Sequence, residues 1–201
     1  VPIVRGAEIS RRPGDVIREI QRLAADGVVE ITLLGQNVNS YGRDLAVSAR
    51  RDDPSVSLRP WFGELLRSVG EVDGIQRVRF TSPHPKDMTD DVFEAMAETS
   101  AVVPHLHFPL QAGSDRVLAA MHRGYTAERF LNKLARAREA IPDLAVTTDI
   151  IVGFPGETEN DFVETLEVAA AADFDNAYTF VFSPREGTEA AEWVDDFCDP
   201  F

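Results

Sequence analysis

"ITLLGQNVNSYG", residues 31–42, decides how the rest of the chain is read. The apolar run of residues 31–34 stops at Gly35, and Gln36, Asn37, Asn39 and Ser40 follow almost at once. A strand apolar on both faces is the pattern of a parallel sheet covered on both sides. Such a strand ends here on a glycine and neutral amides, with no charge. That end reads either as a plain turn, since Asn and Gly are common turn residues, or as one wall of a binding site.

The same unit recurs outward from it. Residues 13–26 predict a helix: Pro13 suits a first helical position, Asp15 favours the N-terminal dipole, and Val16, Ile17, Ile20, Leu23 and Ala24 form one apolar stripe before Gly27. Residues 43–60 mix arginine, aspartate and proline and are read as a loop. A helix is expected at 61–69 and a strand at 76–81, ending in Ser82-Pro83-His84-Pro85. Thr89 is placed as the cap of the next helix. A strand at 105–110 ends in Gln111-Ala112-Gly113-Ser114; Ser114 is placed as the cap of a short helix to residue 121, and Thr126 as that of a longer one to residue 141. The strand at 144–152 ends in Gly153-Phe154-Pro155-Gly156-Glu157, and Thr158 with Asp161 resembles a capping box for a helix to residue 172. Residues 176–182 are the last expected strand. Beyond Ser183 the periodicity fades, so 184–201 reads as an exit linker and 1–183 as the folded core.

Strands alternating with helices at this spacing imply a parallel sheet with crossover helices. A partial or closed (β/α) barrel and an open doubly wound sheet both satisfy the pattern. Either places a ligand at the C-terminal strand ends, where the unusual residues collect. Their neutral side chains and glycines suit a polar, zwitterionic or nucleoside-like ligand better than a bare phosphate.

Composition bounds the rest. The 201 residues suffice for one sizeable core. One cysteine, Cys198, cannot form an internal disulfide, which sets the expectation of a reducing, intracellular setting; in that position it reads as an incidental thiol. No run approaches the roughly 20 apolar residues of a membrane span. The net charge of −14 makes the chain alone a poor partner for nucleic acid. Residue 1 is valine, and residues 1–4 read like the middle of something longer, hence a fragment is expected. His105 and His107, two apart on a strand, face the same way. With His84 they could make a metal site in a hydrolase barrel. The plainer reading is that they are satisfied inside the barrel or at its rim. Asp149 lies among apolar residues and threonines, and Arg123 reads equally as a carboxylate partner or a surface charge.

Five stretches together resemble the radical-SAM methylthiotransferases, most of all the tRNA-modifying MiaB type: residues 5–16, 31–42, 80–92, 107–126 and 147–162. Residues 183–191, "SPREGTEAA", resemble the segment that closes that family's central domain. The resemblance covers nearly the whole chain, and six stretches in the family's order are specific. It implies a partial (β/α) radical-SAM barrel, here lacking its first strand and cluster loop. It implies S-adenosyl-L-methionine bound to a [4Fe–4S] cluster held by three cysteines, and a reaction that adds a methylthio group to isopentenyladenosine beside the tRNA anticodon. By analogy Gly35, Gln36 and Asn37 hold the SAM ammonium, Gln111 and Ser114 its ribose or carboxylate, and Arg123 its carboxylate. Ile151 to Gly153 would lie beside the adenine, with Val181 and Phe182 on its other side; Ser82 and His84 would face SAM or the substrate base. The cluster cysteines, expected before Val1, are not in the chain, so it is expected to be inactive alone and of marginal stability. The resemblance further implies tRNA as partner of the full-length protein, a cytoplasmic monomer and no membrane, with electron donor and sulfur source left open. The alternatives are a cluster-free SAM-binding or interaction remnant, and a sibling enzyme acting on threonylcarbamoyl-adenosine tRNA or a ribosomal protein.

Overall fold

In the computed structural model, which describes residues 9–185 and 187–193, every strand pairing among the described residues is parallel. The chain forms two compact units. The first takes in the described residues up to Pro104 together with Glu139–Asp143, and the second those of His105–Arg138 and from Leu144 onward.

The first unit contains α1 (Pro13–Ala25), β1 (Glu30–Leu33), α2 (Arg43–Asp52), α3 (Phe62–Gly70), β2 (Arg77–Phe80) and α4 (Asp90–Glu98). β1 lies in register beside β2, with Ile31 opposite Val78 and Leu33 opposite Phe80. The core beneath them is Phe62, Leu66, Val69, Val78, Val92 and Phe93, all fully buried. Each such side chain contributes about 1.5–3 kcal/mol on burial. The Phe62 ring meets Phe80 edge-on at 5.2 Å. β2 also takes a parallel bridge from Val102; Pro104, with no N–H to give a ladder, follows.

One expectation is corrected here. Residues 43–52, read as loop, are the helix α2. Its charges misled the periodic reading, because only Ala46 is fully buried, Leu45 and Ala49 are half-buried and the remaining residues face water. The charges are nevertheless well placed for a helix: Asp44 lies in the first turn and Arg50 and Arg51 in the last.

The second unit contains β3 (His105–His107), α5 (Asp115–Ala120), α6 (Ala127–Ala140), β4 (Ala145–Val152), α7 (Glu159–Ala172), β5 (Asn176–Val181) and α8 (Glu189–Glu192). β4 is central, between β3 and β5. On one face Leu106, Val146, Thr148 and Ile150 are buried; on the other His105, His107, Thr147 and Asp149 stay partly open. That alternation is the period of two that a half-covered strand requires. The strand expected at 105–110 keeps a regular ladder only through His107, then bridges again at Gln111 opposite Ile150. Pro109 cannot donate to a ladder, and the Tyr125 hydroxyl donates instead to the carbonyls of Pro109 (3.1 Å) and Leu110 (3.0 Å). The capping box at α7 forms as expected: Thr158 Oγ1 accepts from Asp161 N, and the Asp161 carboxylate accepts from Thr158 N.

The segment past Ser183, expected as linker, includes the single turn α8, after which the Trp193 ring stands edge-on to Phe154 at 5.7 Å. The remainder of that expected linker, residues 194–201 with Cys198, lies outside the described residues.

Candidate functional site

In the first unit the polar residues after β1 tie one strand end to the next. Gly35 permits the turn, since a Cβ there would stand 3.1 Å from Val38 Cα. Asn39 is fully buried and grips the backbone of His84 twice: its Oδ1 accepts from His84 N at 2.7 Å and its Nδ2 donates to His84 O at 3.0 Å. Val38 N donates to the carbonyl of Ser82, which itself sits at a positive φ of 57°. Asn37 Nδ2 donates to Asp87 Oδ2 at 2.7 Å, and Arg43 donates to Asp87 Oδ1 at 2.9 Å. Burial would raise the Asp87 carboxyl, but the bonds from Asn37 and Arg43 outweigh it and hold it below the ordinary value. Asn37 Oδ1 is buried and has no hydrogen-bond partner. Gly35, Gln36 and Asn37 line a cleft of about 820 Å³, whose wall continues along β1 and α1. Ser82 and His84 are not among the residues lining it; His84 Nδ1 accepts from Lys86 N at 3.2 Å.

In the second unit the residues after β3 are largely engaged. Gln111 is buried at a positive φ of 71°, a conformation that costs a non-glycine residue about 1–3 kcal/mol. Its backbone completes the bridge to β4, N to Asp149 O and O from Ile151 N, both at 2.8 Å. Gly113 is required by α7, because a Cβ would lie 2.5 Å from Thr165 Cα. Ser114 Oγ donates to Asp161 Oδ1 at 2.5 Å instead of capping α5. Arg116 also donates to Asp161, and that guanidinium, with the Ser114 and Thr158 bonds, outweighs burial and holds the carboxyl well below the usual range.

The loop after β4 closes on Glu157. Its Oε2 accepts from Gly153 N at 2.5 Å and Phe154 N at 3.3 Å, while Oε1 is buried without a partner. Burial pushes this carboxyl up. Beside the loop, Arg123, Ile151, Phe154, Phe182 and Trp193 line a pocket of about 270 Å³. Phe154 stands edge-on to Phe182 at 5.1 Å. Arg123 Nε is buried and unpartnered. Three of the residues expected around SAM, Arg123, Ile151 and Phe182, therefore share one pocket. Val181 does not join them: it is 76% exposed, and adjacent strand residues point to opposite faces. Gly153 sits at a positive φ of 69°, and a Cβ added there would meet Val181 Cγ1 first, at 3.9 Å. Phe154 and Trp193 escaped sequence reasoning; the only signal was an aromatic in each of two loops.

The paired histidines are engaged along the sheet face. His107 Nδ1 lies 2.9 Å from Thr147 Oγ1 and Nε2 lies 3.1 Å from Asp149 Oδ2, and Thr147 Oγ1 lies 3.2 Å from His105 Nε2. Among the described residues no group of three or more His, Cys, Asp or Glu side chains could hold a metal ion. An iron–sulfur cluster needs cysteine thiolates, and the sequence has one cysteine, so the residues present do not fit that group. Taken separately, each unit offers an unpartnered group: the Arg123 Nε donor suits a carboxylate, and the Asn37 Oδ1 acceptor suits an ammonium.

Comparison with known proteins accords with this. The family model described as "Radical SAM superfamily" matches residues 2–169. The chain is 59% identical over 198 residues to the tRNA-2-methylthio-N(6)-dimethylallyladenosine synthase of Mycobacterium sp. (strain MCS), covering 96% of this chain and 38% of that protein. It is 60% identical over 191 residues to the synthase of the same name from Clavibacter michiganensis subsp. michiganensis (strain NCPPB 382), covering 95% and 34%. The chain thus spans little more than a third of the length of these relatives. Among solved structures, the radical S-adenosylmethionine methyltransferase TsrM from Kitasatospora setae matches with a TM-score of 0.57 at 17% identity, over 85% of this chain and 31% of that one. Coproporphyrinogen III oxidase (HemN) from Escherichia coli matches with a TM-score of 0.54 at 14% identity, over 91% and 50%. At these identities the likeness is one of fold: mixed α/β with parallel sheets.

Proposed function

The chain belongs to the radical SAM superfamily, and from that premise we propose that it is the central segment of a tRNA methylthiotransferase that converts N6-isopentenyladenosine next to the anticodon to its 2-methylthio form. The observation that carries the reading is 59% identity across 96% of the chain to synthases named for that product. The GQNVNSYG after β1, by its resemblance to this member's sequence, favours it over siblings that act on threonylcarbamoyl-adenosine or on a ribosomal protein. The protein works in the cytoplasm as a monomer with tRNA as its partner; no described helix is long and apolar enough to cross a membrane.

SAM, when bound, supplies the hydrogen-abstracting group and the methyl. This chain's residues bind and orient it. Gly35, Gln36 and Asn37 take the ammonium; Gln111, Ser114 and Arg123 take the ribose and carboxylate; Ile151, Gly153 and Phe182 flank the adenine; Ser82 and His84 meet SAM or the base. Support is uneven. It is strongest for Arg123, whose buried Nε has no partner, and for Ile151 and Phe182, which line the same pocket. It is weakest for Ser114, whose hydroxyl hydrogen already goes to Asp161. In a strain deleted for the gene, tRNA nucleosides lack 2-methylthio-isopentenyladenosine and accumulate the unmodified isopentenyl form. An unchanged nucleoside profile, with no second copy of the gene, overturns the reading.

A further inference from the structure

The partly open face of the β3–β4–β5 sheet carries a continuous row of polar, proton-carrying side chains that the assigned roles above do not use. His105, Thr147, His107 and Asp149 are joined by contacts of 3.2, 2.9 and 3.1 Å, all within hydrogen-bond range. Tyr178 of β5 pairs with Asp149 in register, and its ring lies 6.3 Å from that of His107. The His107 and Asp149 side chains are 22% and 29% exposed, enough for a ligand to reach them.

The chemistry of the end group fixes the direction of the whole row. An ionised carboxylate only accepts, so His107 carries its proton on Nε2 and gives it to Asp149. His107 Nδ1 must then accept, so the Thr147 hydroxyl donates to it. Thr147 Oγ1 in turn accepts from His105 Nε2–H. Every hydrogen points toward Asp149. Asp149 stands at the end of the row nearer Ile151 and the loop after β4, because β3 pairs in register with the start of β4.

We propose that this row is a proton relay that delivers a proton, through Asp149, to a ring nitrogen of the purine substrate. The proposal rests on the methylthiotransferase reading for the identity of that base. In the transfer each hydrogen moves across one hydrogen bond: His105 Nε2 to Thr147 Oγ1, Thr147 Oγ1 to His107 Nδ1, and His107 Nε2 to Asp149 Oδ2. His105 begins as the imidazolium and ends neutral with its proton on Nδ1. Asp149 then gives its proton to the base: an N–H bond forms, an O–H bond breaks and no electrons are exchanged. A proton on a ring nitrogen next to C2 withdraws electron density from C2, the carbon named in the relatives' product, and so activates it toward sulfur. When the base returns that proton to Asp149, the O–H bond re-forms, the N–H bond breaks, and the reverse hops restore the row with His105 again the imidazolium.

Two measurements test it. On the 201-residue chain, imidazole ¹⁵N shifts are expected to place the His107 proton on Nε2 at neutral pH. That tautomer is expected to persist in Thr147→Ser and to become mixed in Asp149→Ala, which removes the acceptor that fixes it. A His107 with its proton on Nδ1, or a tautomer indifferent to Asp149→Ala, overturns the relay. On the full-length gene product, Thr147→Val is expected to lower the rate of methylthio product formation about 10²-fold, the range of general acid–base effects. Thr147→Ser, which keeps the hydroxyl, is expected to restore most of it. Wild-type turnover in Thr147→Val, or equal loss in both variants, overturns the proposal. A wild-type gene product that makes no 2-methylthio nucleoside overturns the methylthiotransferase reading instead, and the ¹⁵N result still decides whether the row is a relay.

Discussion

Amides at the end of β1 and the arginine at the end of α5 play different parts, and their hydrogen-bond accounts separate them. Asn39 has both halves of its amide bonded to the His84 backbone and is fully buried, so it joins two strand-end loops and is closed to a ligand. Asn37 is half satisfied, and Arg123 has its Nε buried with nothing to donate to. A buried donor of that kind carries a desolvation penalty that a bound carboxylate removes. Replacing Arg123 with alanine is expected to weaken SAM binding about 10- to 100-fold, the worth of one hydrogen bond to a charged group. The change is readable by titration of Trp193 fluorescence, since Trp193 lines the same pocket. Unchanged affinity in Arg123→Ala would return Arg123 to the role of a surface charge. Residue type and spacing marked the end of the first strand at Gly35–Asn37, and the family resemblance alone named Arg123, Ile151 and Phe182. They did not separate Asn39 from Asn37, because which amide turns inward depends on the register of a turn that no periodicity encodes.

At the scale of elements, what could be read was what local chemistry writes into the chain. The capping box before α7, the proline at the start of α1 and the strands other than β3 formed within a residue or two of the expected bounds; β3 stops three residues short. The helix α2 was hidden because a single buried alanine is too little pattern, and Ser114 looked like a helix cap because its real partner, Asp161, is 47 residues away. The N-terminus of α7 is where these tertiary bonds converge, and two substitutions probe it. Gly113→Ala would press a methyl to within 2.5 Å of Thr165 Cα, which is backbone and cannot swing aside. The loop or α7 must shift, at about 1–3 kcal/mol, seen as a lower urea midpoint with unchanged slope. Wild-type stability would mean that α7 packs less closely there than its backbone indicates. Asp161 and Glu157 should make stability depend on pH in opposite senses. The folded pKa of Asp161 lies below its unfolded value, so its contribution is complete above about pH 3.9 and is lost as pH falls through the folded pKa. The folded pKa of Glu157 lies above its unfolded value, so its contribution is complete below about pH 4.3 and is lost as pH rises through the folded one. Melts across pH should therefore flatten on the acid side in Asp161→Asn and above pH 4.3 in Glu157→Gln. A Glu157→Gln variant with the wild-type pH profile would show that Glu157 is not desolvated in solution.

For the chain as a whole, charge sets what to expect of any contact with nucleic acid. The sequence has 20 Lys and Arg against 34 Asp and Glu, and much of the positive charge is already neutralised. Arg67 is held by Asp91 and Glu98, Arg77 and Arg79 by Glu30, Arg43 by Asp87 and Arg116 by Asp161. Binding to a nucleic-acid backbone gains its free energy by replacing condensed counterions with protein cations. A surface with this balance returns few counterions and adds repulsion from its own carboxylates. The 201-residue chain is therefore expected to show no retention of tRNA at about 0.15 M salt, by anisotropy of a labelled anticodon stem–loop. Weak binding is expected to emerge only as the salt is lowered. Micromolar or tighter binding at physiological salt, with a steep salt slope, would require a basic surface that the ion pairs above do not leave. Binding that is insensitive to salt would place recognition in stacking or hydrogen bonds to the base itself. That second result would direct attention to the open face of the β3–β4–β5 sheet, where Tyr178 and Phe180 stand more than half exposed beside Asp149.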